Sequence, residues 1–220
     1  MKKLLTLAAL AGLLGAQQCL AFTVNVPRTV GYYLNNGGEF TVTDGSDPTF
    51  NAIYMNYAPE ATLGGGFQTF CISTSIGVEG GIPLNATLDP NGVAVGTSWL
   101  YGAFARGSLG SYNYADITGG GRAASAWELQ NAIWELQGQT FDSTAASFYV
   151  GLAVSHFGTL ADAMVVAPGD VEALRMTTLA GIVSQPMLAL GGATVPDVAS
   201  TLILLGLGST SLGAFRRFWK

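Results

Sequence analysis

Residues 67–74 read Phe-Gln-Thr-Phe-Cys-Ile-Ser-Thr, and the cysteine in this run, Cys71, is the side chain best suited to act as a nucleophile. The chain has one other cysteine, Cys19, and one histidine, His156. A thiolate–imidazole pair would have to be Cys71 with His156, and Asn131 or Glu128 could orient the ring; that chemistry is hydrolytic. No glycine-rich turn surrounds Cys71, however, and a strand interior is a poor place for a protease nucleophile. One cysteine and one histidine cannot complete a zinc site. The other unusual group is Gln130, with Trp127 three residues before it and Trp134 four after, so the three share one helical face. A glutamine between two tryptophans makes sense where its amide lies in an aromatic pocket. The plainer alternatives are an inert buried cysteine, a cysteine in an intermolecular disulfide, and an ordinary surface glutamine, since glutamine is a good helix former.

The elements that must position these residues follow from pattern. Residues 22 to about 114 read as strands: 23–34 with breaks at Pro27 and Gly31, 39–50 running into a turn at Asp44-Gly45, 51–57, and 66–74. In the last of these, Phe70 and Ile72 face one side, and Thr69, Cys71 and Ser73 the other. Residues 99–107 fit either a strand or a short helix. Helices are expected from Ala123, where Ser125 and Glu128 have capping-box spacing and Leu129, Ile133 and Leu136 repeat at i, i+4, i+7. Gly138 is the expected stop. Further helices are expected over 145–157 and over 170–182, the latter capped by Asp170 and ended by Pro186. Strands first and helices later predict an α+β domain, a β-sandwich-like part followed by a helical part.

Both ends differ from the middle. Lys2 and Lys3 precede an apolar stretch from Leu4 to about Gly15, and Cys19-Leu20-Ala21 offers small residues at the positions a signal peptidase reads. Residues 1–21 therefore read as a secretory signal peptide whose removal takes Cys19 with it. Residues 22–193 form the domain, and 194–220 a tail in which Val198 to Phe215 is almost free of charge. As a helix that stretch would extend ~27 Å, enough to cross a bilayer core. Arg216 and Arg217 follow it, so the domain would face outward. The chain carries a formal charge of −5, and its lysines are confined to positions 2, 3 and 220. The domain between is acidic, which disfavours binding to nucleic acid. Hydrophobic residues make up 49% of the chain, too many for disorder. No phosphate loop, nucleotide fingerprint or metal cluster appears, and no cofactor is implied.

Two resemblances are carried by these residues. Val195-Pro196-Asp197, then Ser200-Thr201, Leu204-Leu205-Gly206 and Arg216-Arg217, resemble the sorting tail of PEP-CTERM proteins, in its variant beginning Val-Pro-Asp. The resemblance covers about 26 residues. It implies processing by an exosortase, anchorage in the inner membrane through residues 198–215 before sorting, and delivery to the cell surface or an extracellular matrix. Phe70-Cys71-Ile72 and Leu129-Gln130-Asn131-Ala132-Ile133-Trp134 together resemble bacterial thioester domains. That family forms an internal thioester between the cysteine sulfur and the glutamine side-chain carbonyl, with loss of ammonia. The matching positions here are Cys71 and Gln130. The family commonly has threonine before the glutamine, where this chain has Leu129, and it is known from Gram-positive surfaces, whereas the tail implies a Gram-negative bacterium. The resemblance implies covalent adhesion to a surface amine or hydroxyl rather than enzymatic turnover. Phe70, Trp127 and Trp134 are then candidates to shield the bond from water. The alternatives are a non-reactive structural matrix protein with the same tail and a Cys71–His156 hydrolase.

Overall fold

A computed structural model of the chain describes residues 21–44, 66–78, 81–89, 91–139 and 141–190. The signal-peptide segment, the expected strand at 51–57 and the whole sorting tail, including Val195, Pro196, Asp197, Arg216 and Arg217, lie outside the described residues. No helix among the described residues is long and apolar enough to cross a membrane.

The domain is α+β. Its strands are β1 (Ala21–Asn25), β2 (Arg28–Leu34), β3 (Gly37–Asp44), β4 (Gly66–Thr69), β5 (Leu84–Asp89), β6 (Val93–Ala94), β7 (Val166–Ala167), β8 (Val171–Thr178) and β9 (Val183–Leu190). Its helices are α1 (Val95–Ala105), α2 (Gly121–Leu136), α3 (Ser143–Phe157) and the single turn α4 (Leu160–Ala163). β6 and β7 form a small ribbon of their own. The other seven strands form one antiparallel sheet in the order β2-β3-β1-β5-β8-β9, with β4 on the free side of β3. Among the described residues, the main β part is this one curled sheet.

That sheet curls until its edges meet. Beyond β4 the chain stays extended, and Cys71 bridges Met187 of β9. Leu188 N–H donates to Phe70 O at 3.1 Å, and Ile72 N–H to Pro186 O at 3.0 Å. Closing a sheet on itself removes edges that would otherwise present unpaired backbone groups. β1 and β2 are one extended run interrupted at Pro27, which has no N–H to give, although its carbonyl still accepts from Thr41 N–H at 3.2 Å. Gly31, expected to break the run, lies inside β2.

The helical part needs two corrections. Residues 170–182 are not a helix: β8 occupies 171–178, and β9 follows after a turn. Ala173, Leu174, Arg175 and Met176 favour helix locally, but β5 and β9 flank β8 on both sides and bond its backbone. Propensity is a weak prior that such pairing overrides. Pro186, expected to end a helix, sits at a register shift in β9, where two residues oppose Arg175 alone; a bulge is where a strand tolerates proline. The second correction concerns the start of α2. Ser125 lies inside the helix, and Gly120 is its N-cap. Asp116 serves the end instead, accepting from Gly119 N–H at 2.7 Å and Gly121 N–H at 3.2 Å. A Cβ on Gly121 would lie 2.6 Å from that carboxylate, so the wrap needs glycine there.

Of the ambiguous segment 99–107, residues 99–105 are the second half of α1, and Arg106 is its C-cap. α2 ends where Gly138 predicts, with φ 76° at that residue, and buries Leu129, Ile133 and Leu136 as expected. α3 starts on Asp142, whose side chain accepts from Thr144 and Ala145 N–H. α2 packs on the β2–β3 hairpin and on α3. Its first turn is fastened by a buried cluster. Arg122, 2% exposed, donates to Glu39 Oε1 at 2.8 Å and Oε2 at 3.0 Å, and Glu39 is fully buried. Tyr112 also donates to Glu39, and the guanidinium lies over the Tyr32 ring. Burial opposes the charge on Arg122, but the hydrogen bonds and charge of Glu39 prevail and hold its pKa above the ordinary value. Burial and the neighbouring carboxylate push the Tyr112 hydroxyl well above its ordinary pKa.

Candidate functional site

Cys71 lies two residues past the end of β4 rather than in mid-strand. Its neighbours Phe70 and Ile72 bond to β9, so the N–H and C=O of Cys71 itself point the other way. Gln130 meets them. Cys71 N–H donates to Gln130 Oε1 at 2.9 Å, and Gln130 Nε2 donates to Cys71 O at 2.7 Å. The side-chain amide behaves like a residue of a further strand. Gln130 is fully buried and Cys71 is 4% exposed. The structure therefore brings together the two residues that the sequence singles out, at the seam between sheet and helices.

Tight packing holds the amide in place. A Cβ on Gly37 would lie 2.7 Å from Gln130 Cγ and 3.2 Å from the Trp127 ring. The β2–β3 hairpin can press on Gln130 only because that position lacks a side chain. Two more glutamines extend the pattern. Gln139 Oε1 accepts from Thr74 N–H at 2.7 Å, and its Nε2 donates to Ile72 O at 3.1 Å. Gln185 Nε2 donates to Ser73 O. The backbone of 71–74 is thus held by amide side chains from α2, from the segment after it and from β9. Sequence reasoning did not single out Gln139 or Gln185; the position of Gln139 directly after the helix-ending Gly138 is the one local hint.

The shielding candidates divide. Trp134, 3% exposed, and half-buried Trp127 both pack against Phe141, with ring centroids 5.5 and 5.8 Å away. Phe141 was not anticipated. Phe70 points into the core, where it meets Phe104 edge-on at 5.0 Å and Tyr101 at 6.4 Å. Cys71 forms part of the wall of a cavity of about 270 Å³, bounded by the β2–β3 hairpin, residues 73–78, Trp134 and Phe141. A larger cavity, about 450 Å³, lies between α1 and residues 167–170 beside the exposed Arg106–Asp170 ion pair. The smaller one carries the chemical interest, because its wall includes Cys71, whose backbone the buried Gln130 amide bonds.

His156 does not line the Cys71 cavity. It stacks on Trp99 with centroids 4.6 Å apart and meets Phe157 edge-on. Asn131, considered as its partner, donates to Trp127 O at 2.8 Å and accepts from Asp142 N–H at 3.1 Å, tying α2 to the start of α3.

Comparison with protein-family models, curated proteins and solved structures finds no match.

Proposed function

We propose that the chain is an exported surface or matrix protein that attaches covalently through a thioester between Cys71 Sγ and Gln130 Cδ. The observation that carries this reading is the reciprocal pair of hydrogen bonds between the Gln130 amide and the Cys71 backbone. They fix the amide carbonyl beside the residue that bears the thiol. Holding two groups in one geometry replaces a bimolecular encounter, and well-oriented cases gain about 7–11 kcal/mol. The thiolate attacks Cδ, the C–N bond breaks, and ammonia leaves carrying the proton of the thiol. Cys71 N–H already donates to Oε1, so it faces the oxygen on which negative charge develops, as an oxyanion donor must. The bond from Nε2 to Cys71 O is lost with the ammonia. Opening by an external nucleophile then yields an acylated partner and restores the thiol.

In this reading the tail serves delivery: an exosortase processes residues 194–220, and residues 198–215 hold the protein in the inner membrane until then. Removing 195–220 is expected to release the domain from membranes; continued retention of the truncated protein contradicts the anchor. The same hydrogen bonds support one other reading, a matrix protein without covalent chemistry, because a buried glutamine with both amide atoms satisfied is also a stable structural element. Intact mass of mature protein never exposed to amines separates the two. The thioester form is one ammonia lighter than its sequence and its Cys71 resists alkylation. Full mass with a titratable thiol would sink the thioester reading.

A further inference from the structure

We infer that the acceptor attacking this thioester is the amine of an amino sugar; the inference rests on the thioester reading above. None of the described residues lining the cavity is charged. Its wall combines four aromatic residues, Tyr33, Phe40, Trp134 and Phe141, with Ser73, Thr74 and Ser75, whose hydroxyls also bond within the protein, Ser73 with Ser75 at 3.0 Å and Thr74 to Gln139 Oε1 at 2.9 Å. Phe141 is 52% exposed beside the buried Trp134 and so presents an apolar face to an incoming ligand. The Trp134 Nε1–H is buried without an acceptor among the described residues. Aromatic faces together with neutral donors and acceptors suit a polyhydroxylated ring, whose C–H face stacks while its hydroxyls pair. A lysine ammonium would enter this cavity with no carboxylate from the described residues to meet it, and burying a charge without a partner is costly.

The reacting group follows from proton accounting. A hydroxyl needs a base to become a nucleophile. His156 is the only histidine in the chain and stacks on Trp99 elsewhere, and no described carboxylate lines the cavity. A neutral amine needs no base. Lysine, with a pKa near 10.4, is neutral in only about one molecule in a few thousand at pH 7. Electron-withdrawing oxygens on a sugar ring hold its amine well below that, so a much larger fraction is ready to react. The amine nitrogen attacks Cδ of Gln130, the C–S bond breaks, and the proton shed by the nitrogen goes to the departing thiolate. The products are an amide at Gln130 and the Cys71 thiol.

The test uses mature full-length protein whose mass already shows the loss of ammonia. It is mixed at pH 7 with a glucosamine trimer, with the same trimer fully N-acetylated, or with Nα-acetyl-lysine amide, at equal concentrations. The expected result is an adduct at Gln130 from the glucosamine trimer, formed about tenfold or more faster than from the lysine derivative, and none from the acetylated trimer. Equal or faster reaction of lysine, or an ester with the acetylated trimer, overturns the inference while leaving the thioester standing. Absence of the ammonia loss is read before any acceptor is added and removes both. Phe141→Ala should lower the ratio of the glucosamine-trimer rate to the methylamine rate by about threefold to tenfold, because methylamine has no ring to stack. An unchanged ratio contradicts the assignment of this cavity to a sugar.

Discussion

α2 is fastened to the sheet at two places, and the two fastenings are built differently. At its start, Arg122 and Glu39 form a buried ion pair in which both carboxylate oxygens are bonded and Tyr112 adds a third donor. Eight residues on, Gln130 is fastened by neutral bonds to the backbone of Cys71, and that residue opens onto a cavity. The first is closed and charged, and its strength comes from having every group matched. The second uses weaker bonds, and they tie Gln130 to a cysteine that lies in the wall of a cavity. A helix pinned at its first turn can hold a side chain farther along it in register. The comparison therefore separates a fastening that sets stability from one that sets chemistry.

The largest effect is expected from breaking the charged fastening. Glu39→Ala leaves the Arg122 guanidinium buried without its counter-ion, and a loss of about 3–5 kcal/mol in chemical denaturation is expected. Gln130→Ala should cost less, about 2 kcal/mol, for leaving the buried Cys71 N–H without its acceptor, and should abolish the ammonia loss. Cys71→Ala should abolish it equally but leave the backbone pairing in place, so its stability cost should be clearly the smaller of the two. Equal costs would mean that the amide–backbone bonds contribute little.

Alkaline titration tests the same contrast without mutating the site. The folded-state pKa of Tyr112 is raised by burial and by Glu39. Its contribution is fully present below the unfolded value of about 10 and is lost as pH rises from there towards the raised folded value, by about 1.4 kcal/mol per pH unit. Tyr112→Phe should flatten that slope; an unaltered slope places the alkaline sensitivity elsewhere. The smallest effect is expected at Gly37. Gly37→Ala forces Gln130 or the hairpin to shift, for about 1 kcal/mol, yet should slow thioester formation well out of proportion to that cost. Normal formation kinetics would show that Gln130 does not need the close approach of the hairpin.

Much of what surrounds the site is visible in local pattern. The break at Pro27, the apolar face of Leu129, Ile133 and Leu136, and the stop at Gly138 are short-range signals that the fold retains. Cys71 and Gln130 stand out because their residue types are unusual in their settings. The remainder depends on contacts distant in sequence. β8 reads as a helix because Ala173, Leu174 and Met176 favour one, and only its pairing with β5 and β9 makes it a strand. Glu39 and Arg122 are 83 residues apart, and Gln185 reaches Ser73 across 112; such pairs leave no periodic trace. Phe141 was missed for a simpler reason. A single exposed aromatic in a loop is common, and it gains meaning only from the two tryptophans it touches.

The central claim is that Cys71 and Gln130 are covalently joined in the mature protein, and intact mass before and after methylamine treatment tests it most directly. The account predicts a fresh mass one ammonia below the mature sequence, gain of one methylamine at Gln130 on treatment, and neither change in Cys71→Ala or Gln130→Ala. A fresh mass equal to the sequence, with no methylamine adduct and a Cys71 that alkylates once the chain is unfolded, contradicts it.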